Sequence, residues 1–152
     1  MLYFILNFTK FIKYLRGILH YKKQIISFSD CDFAGVLFYG KIFDLAHRIF
    51  EDYLYEFHYY PNYFKDKDRI YPIVHCEASY LKVLTAGDEV TFNLKAKTIR
   101  ESSFELEFEI YQDETELAAI VSTVHVAIST ASKNKTELPE KLRDLLENLK
   151  KQ

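Results

Sequence analysis

The spacing of apolar residues changes character about midway along the chain. Ile42, Leu45, Ala46, Ile49, Phe50, Tyr53, Leu54 and Phe57 recur at intervals of three and four, with Phe43 as a further apolar flank. That spacing predicts a helix apolar over most of its surface, and therefore largely buried. From Tyr71 onward the period is two. Residues 71–83 form one β-rich run, and Thr85-Ala86-Gly87-Asp88 is a turn signal. Val90, Phe92, Leu94 and Ala96 then alternate with polar residues, and Phe104, Leu106, Phe108 and Ile110 alternate with Glu105, Glu107 and Glu109. The second of these runs predicts a strand with one solvated face. Residues 112–115 read as a hairpin turn. Residues 117–129 are apolar or small on both faces, as in a central strand covered on both sides.

The remaining elements are shorter. Residues 24–28 read as a strand ending at Ser29-Asp30, and residues 30–40, with Gly35 and Gly40, as a loop. Residues 59–69 contain Pro61 and read as a loop with one turn of helix. Leu142, Leu145, Leu146 and Leu149 mark a last amphipathic helix, with Pro139 in its first turn and Lys150 and Lys151 at its C-terminal dipole. Strand, buried helix, then four long antiparallel strands is an α+β arrangement with the helix on one face of the sheet.

Residues 1–21 stand apart as an N-terminal amphipathic extension to a single domain over 22–152. Phe8, Phe11, Ile12, Leu15 and Leu19 recur at helical spacing, with Lys10, Lys13 and Arg16 between them. Residues 1–29 hold five Lys or Arg and no acid. One reading is a basic helix making peripheral contact with an anionic membrane or an acidic partner. The other is an extra helix packed on its own domain or on a neighbouring subunit. The apolar stretch 2–6 is too short for a signal peptide or a membrane span.

Composition narrows the function classes. Hydrophobic residues at 49% and charged residues at 28% exclude a disordered chain. A net charge of −2 removes any whole-chain electrostatic argument for nucleic acid, so no such partner is expected. Two cysteines without CxxC spacing, Cys31 and Cys76, fit a reducing, cytoplasmic setting. Five scattered histidines show no zinc spacing, and P-loop, GxGxxG, HExxH and GxSxG motifs are missing. The reading therefore calls for no metal and no cofactor. With 13 Phe and 12 Tyr, an aromatic-rich core or pocket is expected.

The informative stretch is Asp30-Cys31-Asp32-Phe33-Ala34-Gly35-Val36-Leu37-Phe38-Tyr39. It sets two carboxylates in a loop just before the buried helix, half sheltered by aromatics. The first turn of a helix offers unpaired N–H donors and a positive dipole end. Such donors stabilise a carbonyl oxygen as it becomes negative, while a carboxylate opposite attacks the carbon or activates water. The competing reading is that Asp30 or Asp32 only caps the loop and helix.

This segment resembles the signature of the 4-hydroxybenzoyl-CoA thioesterase family: Asp-x-Asp-x-x-Gly, apolar residues, then Tyr or His at the head of the central helix. A second block, residues 71–80, is similar to the family's second strand, and Arg100 with Ser103-Phe104 to a third. The resemblance spans about residues 22–130. It implies a hotdog fold, an antiparallel sheet wrapped around a central buried helix, and an acyl-CoA thioesterase acting on aromatic, short- or medium-chain acyl groups. Asp32 is then the catalytic carboxylate, as nucleophile or general base, and the Tyr39 backbone N–H polarises the thioester carbonyl. Gly35, Phe38, Phe43, His47 and Arg100 are the implied substrate-binding residues. The resemblance also implies a homodimer or homotetramer with sites at the interface. His47 occupies a position where the family often has an acid, and Glu101 and Ser102 follow Arg100 where relatives carry a phosphate-gripping cluster. These departures leave room for an acyl carrier protein thioester, or for a non-catalytic acyl-binding module.

Overall fold

The structure is a computed structural model, and it describes residues 20–150; the amphipathic stretch 8–19 lies outside them. A five-stranded antiparallel sheet carries the fold. Its strands are β1 (His20–Ile25), β3 (Ile73–Tyr80), β4 (Glu89–Ile99), β5 (Ser103–Gln112) and β6 (Glu116–Val126), in the order β1-β4-β5-β6-β3. Two short strands, β2 (Arg69–Ile70) and β7 (Ile128–Ser129), pair separately. Helix α1 (Lys41–Glu56) is the apolar helix expected from its spacing, α2 (Tyr60–Phe64) is a single short turn, and α3 (Glu140–Lys150) closes the chain.

The alternation of β4 and β5 decides which face meets α1. Cross-strand partners Phe92–Ile110, Leu94–Phe108 and Ala96–Leu106 stand on one face, continued on β6 by Ala119, Val121, Thr123 and His125. All of these residues are buried, and α1 lays Ile42, Ala46, Ile49, Phe50 and Leu54 over them. The helix α3 packs its four leucines beside α1, where the Tyr53 hydroxyl donates to the Leu145 carbonyl at 2.6 Å.

The opposite sheet face is polar, as the Glu105, Glu107, Glu109 row predicts, but it is roofed by paired side chains. Glu109 meets Lys95 at 2.7 Å and Glu107 meets Lys97 at 2.8 Å, with side chains of both acids only 19% exposed.

Several boundaries differ from expectation. The first strand occupies His20–Ile25 rather than 24–28, so it takes up the last two residues assigned to the extension. Phe28–Asp30 is instead a 3-10 turn, capped by the Ser27 hydroxyl. The β-rich run 71–83 yields a strand only over Ile73–Tyr80, because the N–H groups of Leu81 and Lys82 both turn onto the Ala118 carbonyl. Pro139 sits just before α3, its carbonyl accepting the Arg143 N–H.

Among the described residues, strand β3 is an edge strand, paired only with β6. Its helix-side residues Cys76 and Tyr80 are exposed, since α1 does not reach across it. Val74, Leu81 and Val83 are exposed by 60%, 55% and 64%. Exposed apolar side chains thus lie beside a strand edge that is unpaired among the described residues.

Candidate active site

The two acids of the motif loop have separate duties. Asp30 is buried, and its carboxylate accepts the Ser27 N–H in a reciprocal capping box. Its carbonyl accepts the Phe38 N–H at 2.9 Å, which closes the loop's base. Asp30 therefore acts as a structural cap. Asp32 sits at the open end. Its Oδ1 accepts the N–H groups of Ala34 at 2.8 Å and Val36 at 3.3 Å, and no hydrogen bond to Oδ2 occurs among the described residues. Two backbone donors hold the carboxylate in one orientation and leave one oxygen uncommitted.

The turn that presents Asp32 is tight. Its carbonyl accepts the Gly35 N–H, and its own N–H donates to Val36. Gly35 adopts φ +77°, a region open to glycine and strained for other residues. Nothing lies within 4 Å of where its Cβ would stand, so the backbone conformation accounts for glycine here without appeal to a bound molecule. The Leu37 N–H to the Leu84 carbonyl, 2.8 Å, ties the loop to the connection between β3 and β4.

Tyr39 lies two residues before the helix, whose N-cap is Gly40, rather than within its first turn. Among the described residues, the N–H groups of Tyr39 and Gly40 reach no backbone carbonyl. The Tyr39 carbonyl is held by the Tyr80 hydroxyl at 2.5 Å, which anchors this segment to the edge strand. Gly40 lets the Phe38 ring fold across the backbone; a Cβ there would stand 3.3 Å from it. The Phe38 and Tyr39 rings touch at 4.6 Å.

The expected shelter is not supplied by the described residues. Asp32 is exposed, Phe33 is fully exposed, and Phe28 and Tyr39 are exposed by 83% and 69%. The loop's rings extend outward because α1 and the sheet already satisfy each other. Phe43 is partly buried against the core, and Phe50 lies wholly within it. Arg100 is exposed in the β4–β5 turn, where its carbonyl accepts the Arg143 guanidinium at 3.0 Å. Among the described residues, no hydrogen bond, ion pair or ring contact joins Asp32, His47 and Arg100. A surface depression of about 510 Å³ lined by Tyr59, Asn62, Lys65, Asp66 and Arg69 shares no residue with the motif.

Two groupings escape the motif reading. His47 Nε2 meets the Glu51 carboxylate at 3.3 Å, one helical turn on, and its ring lies edge-on to Phe64. The i, i+4 spacing of His and Glu was the available signal. Beneath α1, His125 is bonded on both ring nitrogens, at 3.0 Å each, to the Tyr63 and Thr123 hydroxyls. It also stacks on Phe104 at 4.7 Å. Its place in the alternation of β6, two residues from Thr123, marks it as core-facing. Burial, and then the charge of His47, drive the His125 imidazole down from 6.5 to about 3.

That shift has a sign. Below pH 6.5 the unfolded chain takes up a proton that the native core refuses, so this contribution is complete above 6.5 and fades as pH falls toward 3. Urea unfolding at pH 6.5 and pH 5 should differ by about 1.6 kcal/mol, the slope rising from half of roughly 1.4 kcal/mol per unit at pH 6.5 toward its full one-proton value. In His125→Asn this slope should vanish, whatever that variant's absolute stability. An undiminished slope would show that other groups carry it.

An antiparallel sheet laid over one buried helix is the hotdog fold, an architecture of thioester hydrolases. Residues 26–146 match the Thioesterase-like superfamily, and the chain belongs to it. Among curated proteins it is 30% identical over 120 residues to the 1,4-dihydroxy-2-naphthoyl-CoA hydrolase of Gloeothece citriformis, covering 77% of this chain and 84% of that one. It is 29% identical over 126 residues to the hydrolase of the same name from Trichodesmium erythraeum, covering 81% and 91%. The solved structure of a 1,4-dihydroxy-2-naphthoyl-CoA thioesterase from Synechocystis superposes with a TM-score of 0.78 at 25% identity, over 85% of this chain and 96% of that one.

Proposed function

We propose that the chain hydrolyses an aromatic acyl thioester of CoA, with Asp32 as the reacting carboxylate and the Tyr39 N–H as donor to the carbonyl oxygen. Within the superfamily, the Asp-x-Asp-x-x-Gly motif groups it with the 4-hydroxybenzoyl-CoA thioesterases. The observation that carries the reading is one loop holding both an oriented carboxylate with a free oxygen and an unengaged backbone donor. The names of the relatives supply the aromatic CoA ester. Asp32 either attacks the thioester carbon, forming an anhydride that water then opens, or removes a proton from the attacking water. The electron pair goes out on sulfur in both routes. Thiolate is a good leaving group, so no strong acid is required opposite it.

The site is completed by a second copy of the chain. The exposed rings of Phe28, Phe33 and Tyr39 and the bare edge of β3 support two chains pairing through that edge as a dimer, or as a tetramer of two such pairs. Sedimentation velocity should find no monomer at micromolar concentration; a monomer there that is fully active would end this part of the reading.

Thiol release tests the activity. 1,4-Dihydroxy-2-naphthoyl-CoA, 4-hydroxybenzoyl-CoA, a medium-chain acyl-CoA and a matched acyl carrier protein thioester form the panel. The aromatic CoA esters should lead the others by about tenfold or more in kcat/KM, the scale of discrimination a pocket contact supplies. A carrier-protein thioester in the lead would favour the second reading, which the Glu101 and Ser102 after Arg100 support. No release from any member would reduce the chain to an acyl-binding module.

A further inference from the structure

The peptide units that lead into α1 are pinned one at a time, each by its carbonyl. The Phe38 carbonyl accepts the Lys41 N–H at 2.8 Å, and the Gly40 carbonyl accepts the Phe43 N–H at 3.3 Å. Between them, the Tyr39 carbonyl accepts only the Tyr80 hydroxyl among the described residues, at 2.5 Å. A trans peptide sets its C=O and its N–H on opposite sides of one plane. The donor on the Phe38 carbonyl therefore fixes the direction of the Tyr39 N–H, and Tyr80 fixes the direction of the Gly40 N–H. Neither of these two N–H groups makes a backbone hydrogen bond among the described residues.

Packing does not hold this segment, because the Tyr39 side chain is exposed and its ring meets only that of Phe38 among the described residues. Tyr80, by contrast, is firmly placed. It ends β3 opposite Ala119, and the N–H groups of Leu81 and Lys82 turn onto the Ala118 carbonyl directly after it. Partial burial, and then Tyr39, raise its phenol above the usual range, so the donating proton is retained. A peptide whose carbonyl accepts a hydrogen bond is polarised, which makes its own N–H a stronger donor.

We propose that Tyr80 is a positioning residue: by holding the Tyr39 carbonyl, its hydroxyl aims the Gly40 N–H beside the Tyr39 N–H as a second donor to the thioester carbonyl oxygen. This rests on the thioesterase reading above and adds a residue from the sheet edge to it. Asp32 remains the reacting group.

Tyr80→Phe keeps the ring and removes only the hydroxyl. Its kcat on the aromatic CoA esters should fall about tenfold with KM within about twofold, because the lost contact acts through the transition state. A rise in KM with kcat unchanged, the mark of a side chain that only shapes the site, would overturn the proposal. A bound ester reports the donors directly. 4-Hydroxybenzoyl-CoA with a 13C carbonyl, bound to Asp32→Asn so that it is not turned over, should show its carbonyl stretch below the value in water. Adding Tyr80→Phe should return the frequency part of the way; the same frequency in both proteins would also overturn it.

A third readout needs no substrate. Tyr39-Gly40 is the single Tyr-Gly step in the sequence, so labelling with 13C-carbonyl tyrosine and 15N glycine leaves one correlated amide signal. Both resonances should move in Tyr80→Phe, and coincident signals would show that Tyr80 does not hold the peptide. If the native protein hydrolyses no thioester, the reading beneath the proposal fails and the donor role falls with it, while the labelled signal still decides what Tyr80 holds. Native turnover with kcat unchanged in Tyr80→Phe overturns the donor role alone.

Discussion

Asp32→Asn is expected to lower kcat/KM for thioester hydrolysis by about a thousandfold, within the range for loss of a positioned base or nucleophile. The change leaves the loop intact. An asparagine Oδ1 still accepts the Ala34 and Val36 N–H groups that hold Asp32. Only the charge is lost, and with it the capacity to attack carbon or take a proton. Stability should stay within about 0.5 kcal/mol of the native protein, as for an exposed substitution that keeps its contacts. The neighbouring acid supplies the contrast. Asp30→Ala removes the capping box around Ser27 and should lower stability by about 1 kcal/mol, with the chemistry affected only through the loop. Thiol-release kinetics and urea unfolding on both variants separate the two roles. Full turnover in Asp32→Asn would remove this carboxylate from the mechanism.

Phe50→Ala is expected to have the largest effect on stability. The Phe50 ring is fully buried and meets Tyr63 at 5.3 Å, His125 at 5.6 Å and Phe104 at 6.0 Å. It thus joins α1 to α2 and to two strands of the sheet. Removing it forfeits the transfer energy of the ring and leaves a cavity between rigid neighbours, a loss of about 4 kcal/mol. At about 3 °C per kcal/mol for a chain of this size, the melting temperature should fall by roughly 10 °C. Thermal unfolding followed by circular dichroism checks this. A drop of only a degree or two would mean that the aromatic cluster collapses to fill the space.

Much of this architecture could be read from periodicity, because burial acts residue by residue along a helix or strand. The three-and-four spacing over 42–57 is α1 to within a residue, and the strict alternation of 104–110 is the centre of β5. The turn at 85–88 lies where its Gly and Asp place it, with the Asp88 carboxylate accepting the Thr85 N–H at 2.7 Å. The motif was equally legible, as was the presence of two acids before a helix. Local chemistry alone, however, assigned both the same two candidate roles.

The division of labour between Asp30 and Asp32 depended on the fold. The Ser27 cap and the Phe38 N–H draw Asp30 inward, while the turn at Gly35 carries Asp32 outward. The same holds for His47 and His125, two histidines that look alike in a sequence. One sits at a helix border beside Glu51; the other lies on the inner face of β6 with both nitrogens bonded and its proton expelled. Pattern along the chain determined which residues avoid water, because hydrophobicity belongs to each side chain separately. Which polar groups meet, and which rings the described residues leave bare, was decided only by the packing of distant segments, since hydrogen bonds and shelter need partners that sequence distance does not reveal.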